Sequence, residues 1–226
     1  MEKLDALDKR IGYTFQDKRL QKLALTHRST SSNNYERLEF LGDSILGFVI
    51  SKELYQRFPR AQEGQLSRLR ASLVKGDTLA SIARKLELGD YLRLGSGELK
   101  SGGYRRSSIL ADTFEALIGA VYLDSDIQQA EKFVLQFYEE KLKACDPTKA
   151  EKDPKTQLQE ILQAEAAALP VYNVLKTGGE AHNQTFEVEC YVEERNLKQT
   201  ATGSSRRKAE QAAAKKILEI IADEQN

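Results

Sequence analysis

Cysteine, proline and tryptophan are scarce in this sequence. Its 226 residues include two cysteines, four prolines and no tryptophan. Cys145 and Cys190 are far apart and lack a metal-binding spacing, so neither a disulfide framework nor a zinc site is predicted. This cysteine usage is typical of proteins in a reducing cytosol, and we expect a cytoplasmic location.

Long apolar runs are also missing. Charged residues interrupt the apolar stretches, so no transmembrane helix and no membrane partner are expected. The first ten residues are charged throughout and lack the apolar centre of a signal peptide. With 40% hydrophobic and 30% charged residues, the chain has a globular composition and is long enough for one large or two modest domains.

The formal net charge is zero, from 34 basic and 34 acidic residues. A zero net charge argues against a nucleic-acid-binding protein, but the distribution of charge argues for one. Between Arg206 and Lys216, five basic residues accompany a single acid, Glu210. A local basic face of this kind is what phosphate binding requires.

Helical periodicity dominates residues 1–143. It predicts helices at about 3–10, 17–27, 34–57, 64–86, 107–123 and 126–143. The glycine-rich segment 95–103 precedes two arginines, and it is either a flexible connector or an RNA contact. Residues 144–153 have no periodic apolar pattern, so they are predicted to form a linker.

Residues 154–223 show a different pattern. An amphipathic helix is predicted from Thr156 to about Ala167, followed by strands at about 170–176, 186–193 and 196–202 and a last helix from Ser204 or Ser205. The alternation in the second strand places Cys190 on its inner face. The predicted fold is an all-α domain, residues 1–143, followed by a small α+β domain of order α-β-β-β-α, residues 154–223.

Two of the predicted helices carry carboxylates on one face. Glu36, Glu39 and Asp43 are spaced i, i+3 and i+7, and Asp112 and Glu115 are spaced i and i+3. Neither face has a Lys or Arg one turn away, and like charges in this arrangement destabilise a helix unless a cation comes from elsewhere. An oxygen-only site suits Mg²⁺ or Mn²⁺. The predicted metal ligands are Glu39, Asp43, Asp112 and Glu115.

The alternative is that these acids are the solvated faces of surface helices. For Glu36 both interpretations stay open, because Asn33 could cap a helix that begins there. For the other four acids the alternative is weaker, since both segments are too apolar elsewhere to lie loosely on a surface.

The segment Glu36-Arg-Leu-Glu-Phe-Leu-Gly-Asp-Ser44 resembles the signature of the ribonuclease III family. The segment Ile109-Leu-Ala-Asp-Thr-Phe-Glu-Ala-Leu-Ile-Gly-Ala120 resembles the second acidic segment of that family. Residues 203–214 are similar to the basic start of the last helix in a double-stranded-RNA-binding domain. The likeness spans essentially the whole chain, and it is to the short bacterial form with one endonuclease domain and one RNA-binding domain.

The resemblance implies a homodimeric endonuclease that hydrolyses double-stranded RNA with two Mg²⁺ ions, or with Mn²⁺ as a substitute, and without a small-molecule cofactor. The implied products have 5′-phosphate and 3′-hydroxyl ends and a short 3′ overhang. The implied substrates are rRNA precursors and other structured transcripts, including mRNA and tRNA. Catalysis is assigned to Asp43 and Glu115, which also bind metal together with Glu39 and Asp112.

The resemblance assigns further residues outside the metal site. Glu36 and Glu63 match acids at the edge of the active-site valley, although Glu63 is equally explained as a glutamate that favours a helix start. Phe40 is expected to enter a socket on the partner in the dimer. The residues expected to contact RNA are Gln159, Gln163 and His182 in the minor groove, and Arg206, Arg207 and Lys208 at phosphates.

Two other functions compete with this interpretation. A double-stranded-RNA binder that does not cleave would be favoured if acids were missing, and none is. A metal-dependent phosphohydrolase acting on small molecules leaves the C-terminal domain unexplained. The segment His27-Arg28-Ser29 also matches the family, but the sequence indicates only a structural role for it.

Overall fold

The structure is a computed structural model, and it describes residues 2–149, 153–179 and 184–224. The chain divides into two compact units, residues 1–150 and 151–226, and each unit has its own apolar core. The first unit is helical, and the second contains a three-stranded antiparallel sheet with helices. The predicted fold class is therefore confirmed.

The first unit is built around one buried helix. Its α-helices are α1 (Glu2–Ile11), α2 (Lys18–Ala24), α3 (Glu36–Arg57), α4 (Glu63–Val74), α5 (Gly76–Lys85), α6 (Ser96–Lys100), α7 (Ser107–Asp124) and α8 (Ile127–Lys143). Helix α7 packs against α2, α3, α5 and α8. Along Ile109–Val121, a stretch described in full, all residues are buried except Asp112 and Glu115. The buried stretch of this helix thus carries two carboxylates.

The structure departs from the predicted helices in two places. The single helix predicted over 64–86 is two helices, because the chain is extended at Lys75 (ψ 148°). Gly76 favours this break through its low helix propensity, and the hydroxyl of Thr78 donates across it to the carbonyl of Ser72 at 2.9 Å. The segment 95–103 is not a plain loop either, since it contains the short helix α6.

The second unit has the predicted order of elements. They are α9 (Pro154–Ala164), β1 (Val171–Gly178), β2 (Thr185–Val192), β3 (Leu197–Gly203) and α10 (Arg206–Glu224), with strand order β1-β2-β3. Cys190 is buried in the core of this unit together with Leu158 and Ile217, which confirms its predicted inward orientation. Across the described residues, none of the helices has the length and apolarity needed to span a bilayer.

Candidate metal centre and RNA-binding surface

The acidic faces of α3 and α7 meet where two glycines allow the helices to come very close. A Cβ atom on Gly42 would lie 1.8 Å from the carbonyl oxygen of Glu115, and one on Gly119 would lie 2.3 Å from the carbonyl oxygen of Leu38. Even a methyl group at either position would force the two backbones apart. This close crossing sets the acidic face of α3 against that of α7.

Three of the four predicted metal ligands form one group. Glu39, Asp112 and Glu115 each offer a carboxylate oxygen, and these oxygens lie within 4.8 Å of one another. All three side chains are partly buried. Asp43 lies outside this group and is exposed, but it is close enough for its charge to raise the pKa of Glu115.

Burial raises the pKa of all three carboxyl groups, and neighbouring carboxylates raise that of Glu39 and of Glu115 further. For Glu115 the pKa reaches about 8, first through burial and then through the charges of Asp43, Glu39 and Asp112. Burial is also the main cause of the raised pKa of Glu39 and of Asp112. A bound cation would remove this cost. The donor set, which is carboxylate oxygen throughout, fits a hard divalent ion.

A cleft of about 450 Å³ lies beside the carboxylate group, and the sequence did not predict it. Tyr35 is buried in its wall, and its hydroxyl donates a long hydrogen bond of 3.4 Å to Oδ2 of Asp112. The cleft is lined by His27, Arg28, Ser29, Tyr35, Glu36, Glu39, Glu98, Arg106, Ser108, Ile109 and Asp112.

Arg28 supplies the positive charge that the acidic faces lack on their own helices. Its Nη1 atom is 3.6 Å from Oε1 of Glu36, and its charge lowers the pKa of Glu39 and of Asp112 without offsetting burial. The neighbouring His27 is held by Ser29, whose backbone N–H donates to Nδ1 at 3.1 Å. The loop between α2 and α3 brings these residues to the cleft, and no spacing within the sequence indicates that approach.

The two auxiliary acids lie at the starts of different helices. Glu36 lines the cleft, and its N–H donates to Oδ1 of Asn34 at 2.9 Å. The N-cap position of α3 is Tyr35, which makes no side-chain capping bond, so the capping role expected of Asn33 was wrong. Glu63 is exposed, accepts a hydrogen bond of 2.6 Å from the Ser67 hydroxyl, and lines a separate depression. Within one chain the structure brings Glu36 to the acidic site but leaves Glu63 apart.

Helix α3 also exposes large apolar side chains. Phe40 is 78% exposed, and Phe48 is 56% exposed. A depression of about 240 Å³ lies beside Phe48. The residues lining it are Leu41, Ser44, Ile45, Phe48, Tyr122 and Ile127. Such a face is typical of a protein–protein contact.

The residues expected to bind RNA occupy two helices of the second unit. Gln159 and Gln163 are exposed one turn apart on α9. Arg207 and Lys208 are exposed in the first turn of α10, and the Arg206 side chain pairs with Glu210 at 2.8 Å. His182 lies outside the described residues.

Comparison with known proteins agrees with this arrangement. Residues 17–142 match the family model described as Ribonuclease-III-like, and residues 154–221 match the double-stranded RNA binding motif. The two matches define a nuclease domain followed by an RNA-binding domain, the make-up of a double-stranded-RNA endoribonuclease. The chain belongs to the ribonuclease III family, which is metal-dependent, and its acidic cluster accords with that dependence.

Similar proteins extend over nearly the whole chain. Ribonuclease 3 of Vibrio parahaemolyticus is 57% identical over 218 residues, which are 96% of this chain and 97% of that protein. Ribonuclease 3 of Vibrio atlanticus is 56% identical over 220 residues, 97% of this chain and 98% of that protein.

Solved structures of the nuclease domain of ribonuclease III from Campylobacter jejuni are similar to the first unit. One has a TM-score of 0.61 at 40% identity and covers 65% of this chain and 100% of that chain. A second, which describes flexibility in a region involved in dimer formation, has a TM-score of 0.58 at 42% identity and covers 59% of this chain and 94% of that chain.

In the metal-free protein, the raised pKa of Glu115 should make the fold less stable as the pH rises. The ordinary pKa of the carboxyl group is 4.5 and the folded value is about 8. The protonated group therefore stabilises the fold below pH 4.5, and this stabilisation is lost as the pH rises through 8. At pH 8 in chelator, Glu115→Gln should melt above the wild type, by about 2–4 °C for each kcal/mol that the charged Glu115 costs the fold, and the gap should narrow toward pH 5.

Thermal melts at both pH values, with and without Mg²⁺, measure this effect. Mg²⁺ should raise the Tm of the wild type at pH 8 more than that of the variant. The matched control is Glu140→Gln, because the side chain of Glu140 on α8 is 87% exposed. Equal melting of wild type and Glu115→Gln at pH 8 in chelator would mean that neither burial nor repulsion makes the charged Glu115 costly to the fold.

Proposed function

We propose that the chain cleaves double-stranded RNA as a homodimer, with divalent cations held by Glu39, Asp43, Asp112 and Glu115. The observation that carries the proposal is the group of partly buried carboxylate oxygens within 4.8 Å of one another. Mg²⁺ is the proposed ion and Mn²⁺ a possible substitute, since carboxylate oxygens suit both. The double-stranded RNA binding motif indicates which nucleic acid reaches the site.

The proposed chemistry divides the work among the residues of α3, α7 and the cleft. Bound cations would activate a water for in-line attack on the phosphodiester and stabilise the leaving 3′ oxygen. Asp43 and Glu115 are the proposed catalytic carboxylates, and Glu39 and Asp112 complete the ligand set. The hydroxyl of Tyr35 donates to Asp112, and Arg28, which lines the cleft, would bind a backbone phosphate of the RNA.

The proposed products have a 5′-phosphate and a 3′-hydroxyl, with one cut on each strand and a short 3′ overhang. A two-fold dimer accounts for the paired cuts because its symmetry matches that of the duplex. The proposed substrates are rRNA precursors and structured mRNA and tRNA transcripts in the cytoplasm. Recognition depends on duplex shape rather than sequence, because the RNA major groove is too narrow for side chains to enter.

The proposed dimer uses the outer face of α3. A two-fold contact pairs the same patch on both chains, so the exposed Phe40 ring of each chain would enter the depression lined by Phe48 on the other. Burial of the ring removes apolar area from water. The C. jejuni nuclease domain has a region involved in dimer formation, which supports a dimer here.

Glu36 and Glu63 are proposed as acids at the edge of the RNA-binding valley.

The second unit is proposed to hold the duplex. Gln159 and Gln163 on α9 would contact 2′-hydroxyls and base edges in the minor groove, and His182 would make a second minor-groove contact. Residues 206–208 would bind phosphate at the start of α10, where the backbone N–H groups and the helix dipole also favour an anion.

Asp43→Asn and Glu115→Gln should each reduce cleavage to background while duplex binding stays within about twofold, because most RNA affinity lies in the second unit. Cleavage of a long duplex RNA on a gel, with saturating Mg²⁺ or with chelator, and filter binding of the same preparation measure the two properties. Glu140→Gln should cleave normally. Near wild-type cleavage by either site variant would make the metal assignment wrong, and a wild type that binds but never cuts would favour the non-cleaving binder.

Phe40→Asp should shift the protein from dimer to monomer. The substitution would bury a charge at the contact, which is costly when nothing pairs with it. Light scattering at micromolar concentration distinguishes a dimer from a monomer of 25.4 kDa. Leu99→Asp is a matched control, since Leu99 is also exposed but lies on α6. A wild type that is monomeric at this concentration would contradict the model of two sites in one dimer.

Replacing both Arg207 and Lys208 with alanine should weaken duplex binding for all sequences alike. Interactions with phosphate carry no base information, and the slope of log K against log salt should flatten by about one unit for each phosphate that is no longer neutralised. Filter binding at several salt concentrations measures the slope, and cleavage at low salt should survive. The exposed pair Lys215 and Lys216 on the same helix provides the control. An unchanged slope would make the cluster at 206–208 only a solvated helix face.

A further inference from the structure

A single acid lies at the centre of the basic cluster on α10. Glu210 is 7% exposed, and both of its carboxylate oxygens are bound by cations. Oε2 accepts from Nζ of Lys155 at 2.6 Å, and Oε1 accepts from Nε of Arg206 at 2.8 Å. Lys155 belongs to α9, so Glu210 joins the start of one helix to the start of the other.

A second acid also connects the starts of these two helices. Oδ1 of Asp153 caps α9 by accepting from the backbone N–H of Lys155 at 3.0 Å. Its Oδ2 accepts from the side-chain amide of Gln211 and lies 3.7 Å from Nη2 of Arg207. We call these polar contacts the α9–α10 network. Its members are Asp153, Lys155, Arg206, Arg207, Glu210 and Gln211.

Lys155 is held from two sides. Besides its bond to Glu210, its Nζ lies 4.3 Å from the centre of the Tyr172 ring on β1, a distance at which a cation is attracted to the ring. Lys155, Gln159 and Gln163 are spaced i, i+4 and i+8, so they share one face of α9. The network therefore anchors the end of the same face that presents the two glutamines.

We propose that Glu210 and Asp153 are positioning residues that fix the spacing between the glutamines of α9 and the cations of α10, and so select an A-form RNA duplex over a DNA duplex. This inference rests on the proposed RNA contacts of both helices. The distance between a minor groove and the adjacent phosphates differs between the two duplex forms. A fixed spacing therefore favours one form, whereas cations at a variable distance would bind phosphates of either.

A positioning role for Glu210 and a simple effect of net charge predict opposite changes in RNA affinity when this acid is removed. Removal of an acid from a basic surface should strengthen phosphate binding if only net charge matters. If Glu210 sets the geometry, its neutralisation frees Arg206 and Lys155. Only a fraction of the molecules then keeps the spacing between the α9 glutamines and the α10 cations that the RNA duplex requires. The apparent RNA affinity then falls by that fraction.

The experiment compares full-length Glu210→Gln with the wild type on RNA and DNA duplexes of the same sequence, about 20 bp long so that one RNA-binding domain is spanned. Chelator prevents cleavage, and fluorescence anisotropy gives each Kd. The Kd for RNA should rise about tenfold, as expected if about a tenth of the molecules keep the spacing. The Kd for DNA should stay the same or fall, so the RNA preference should drop about tenfold.

Two further variants complete the test. Glu219→Gln makes the same charge change at an exposed position on α10, and it should keep the wild-type preference. Asp153→Asn breaks the second connection while asparagine can still cap the helix, so it should fold and lose preference in the same direction. If the thermal melt shows that Glu210→Gln does not fold, the RNA preference of Asp153→Asn decides between the two outcomes.

The remaining outcomes separate this inference from the proposed function. A wild-type RNA preference in both variants would overturn the positioning role and leave the proposed function intact. A parallel loss of RNA and DNA affinity would also overturn it, because general destabilisation has no preference for a duplex form. A wild type with no preference for RNA would overturn both.

Discussion

The metal site depends on how closely α3 and α7 cross. Gly42 and Gly119 remove the side chains that would hold the two backbones apart, and the carboxylates are carried into one place as a consequence. Because α7 is buried in the core of its unit, its carboxylates Asp112 and Glu115 are only partly exposed to water. Burial and, after it, the repulsion between the acids therefore raise the pKa of Glu115 to about 8. A divalent cation is the natural means of relieving that repulsion.

Helical spacing was enough to predict which acids share a face, but it could not predict how deep each lies. Glu39 precedes the close crossing at Gly42 and is partly buried, whereas Asp43 follows it and is exposed. Both residues belong to one stripe in the sequence, and the difference arises only from the partner helix. For the same reason the sequence could not show that Tyr35 and Arg28 reach the cleft, since no local period links a loop to a helix it later contacts.

Alternation and turn patterns were sufficient to predict the α-β-β-β-α order of the second unit, because each element there is short and strongly patterned. The role of Glu210 was not accessible in the same way. In the sequence Glu210 is one acid among five basic residues, and one of its two partners is Lys155, which lies 55 residues earlier in the chain. A sum of charges measures the attraction to phosphate, but it contains no information about which cations are held in place.

The two units use buried carboxylates in opposite ways. Among the described residues of the nuclease unit, the positive charge of Arg28 lowers the pKa values of Glu39 and Asp112, but burial outweighs it. In the RNA-binding unit, burial also raises the pKa of Glu210, but the hydrogen bonds from Lys155 and Arg206 outweigh it and the pKa is lowered. A buried acid with paired cations is satisfied and serves structure, whereas a group of acids without them requires a cation from solution. The chemistry of each unit follows from that difference in partners rather than from the residue type.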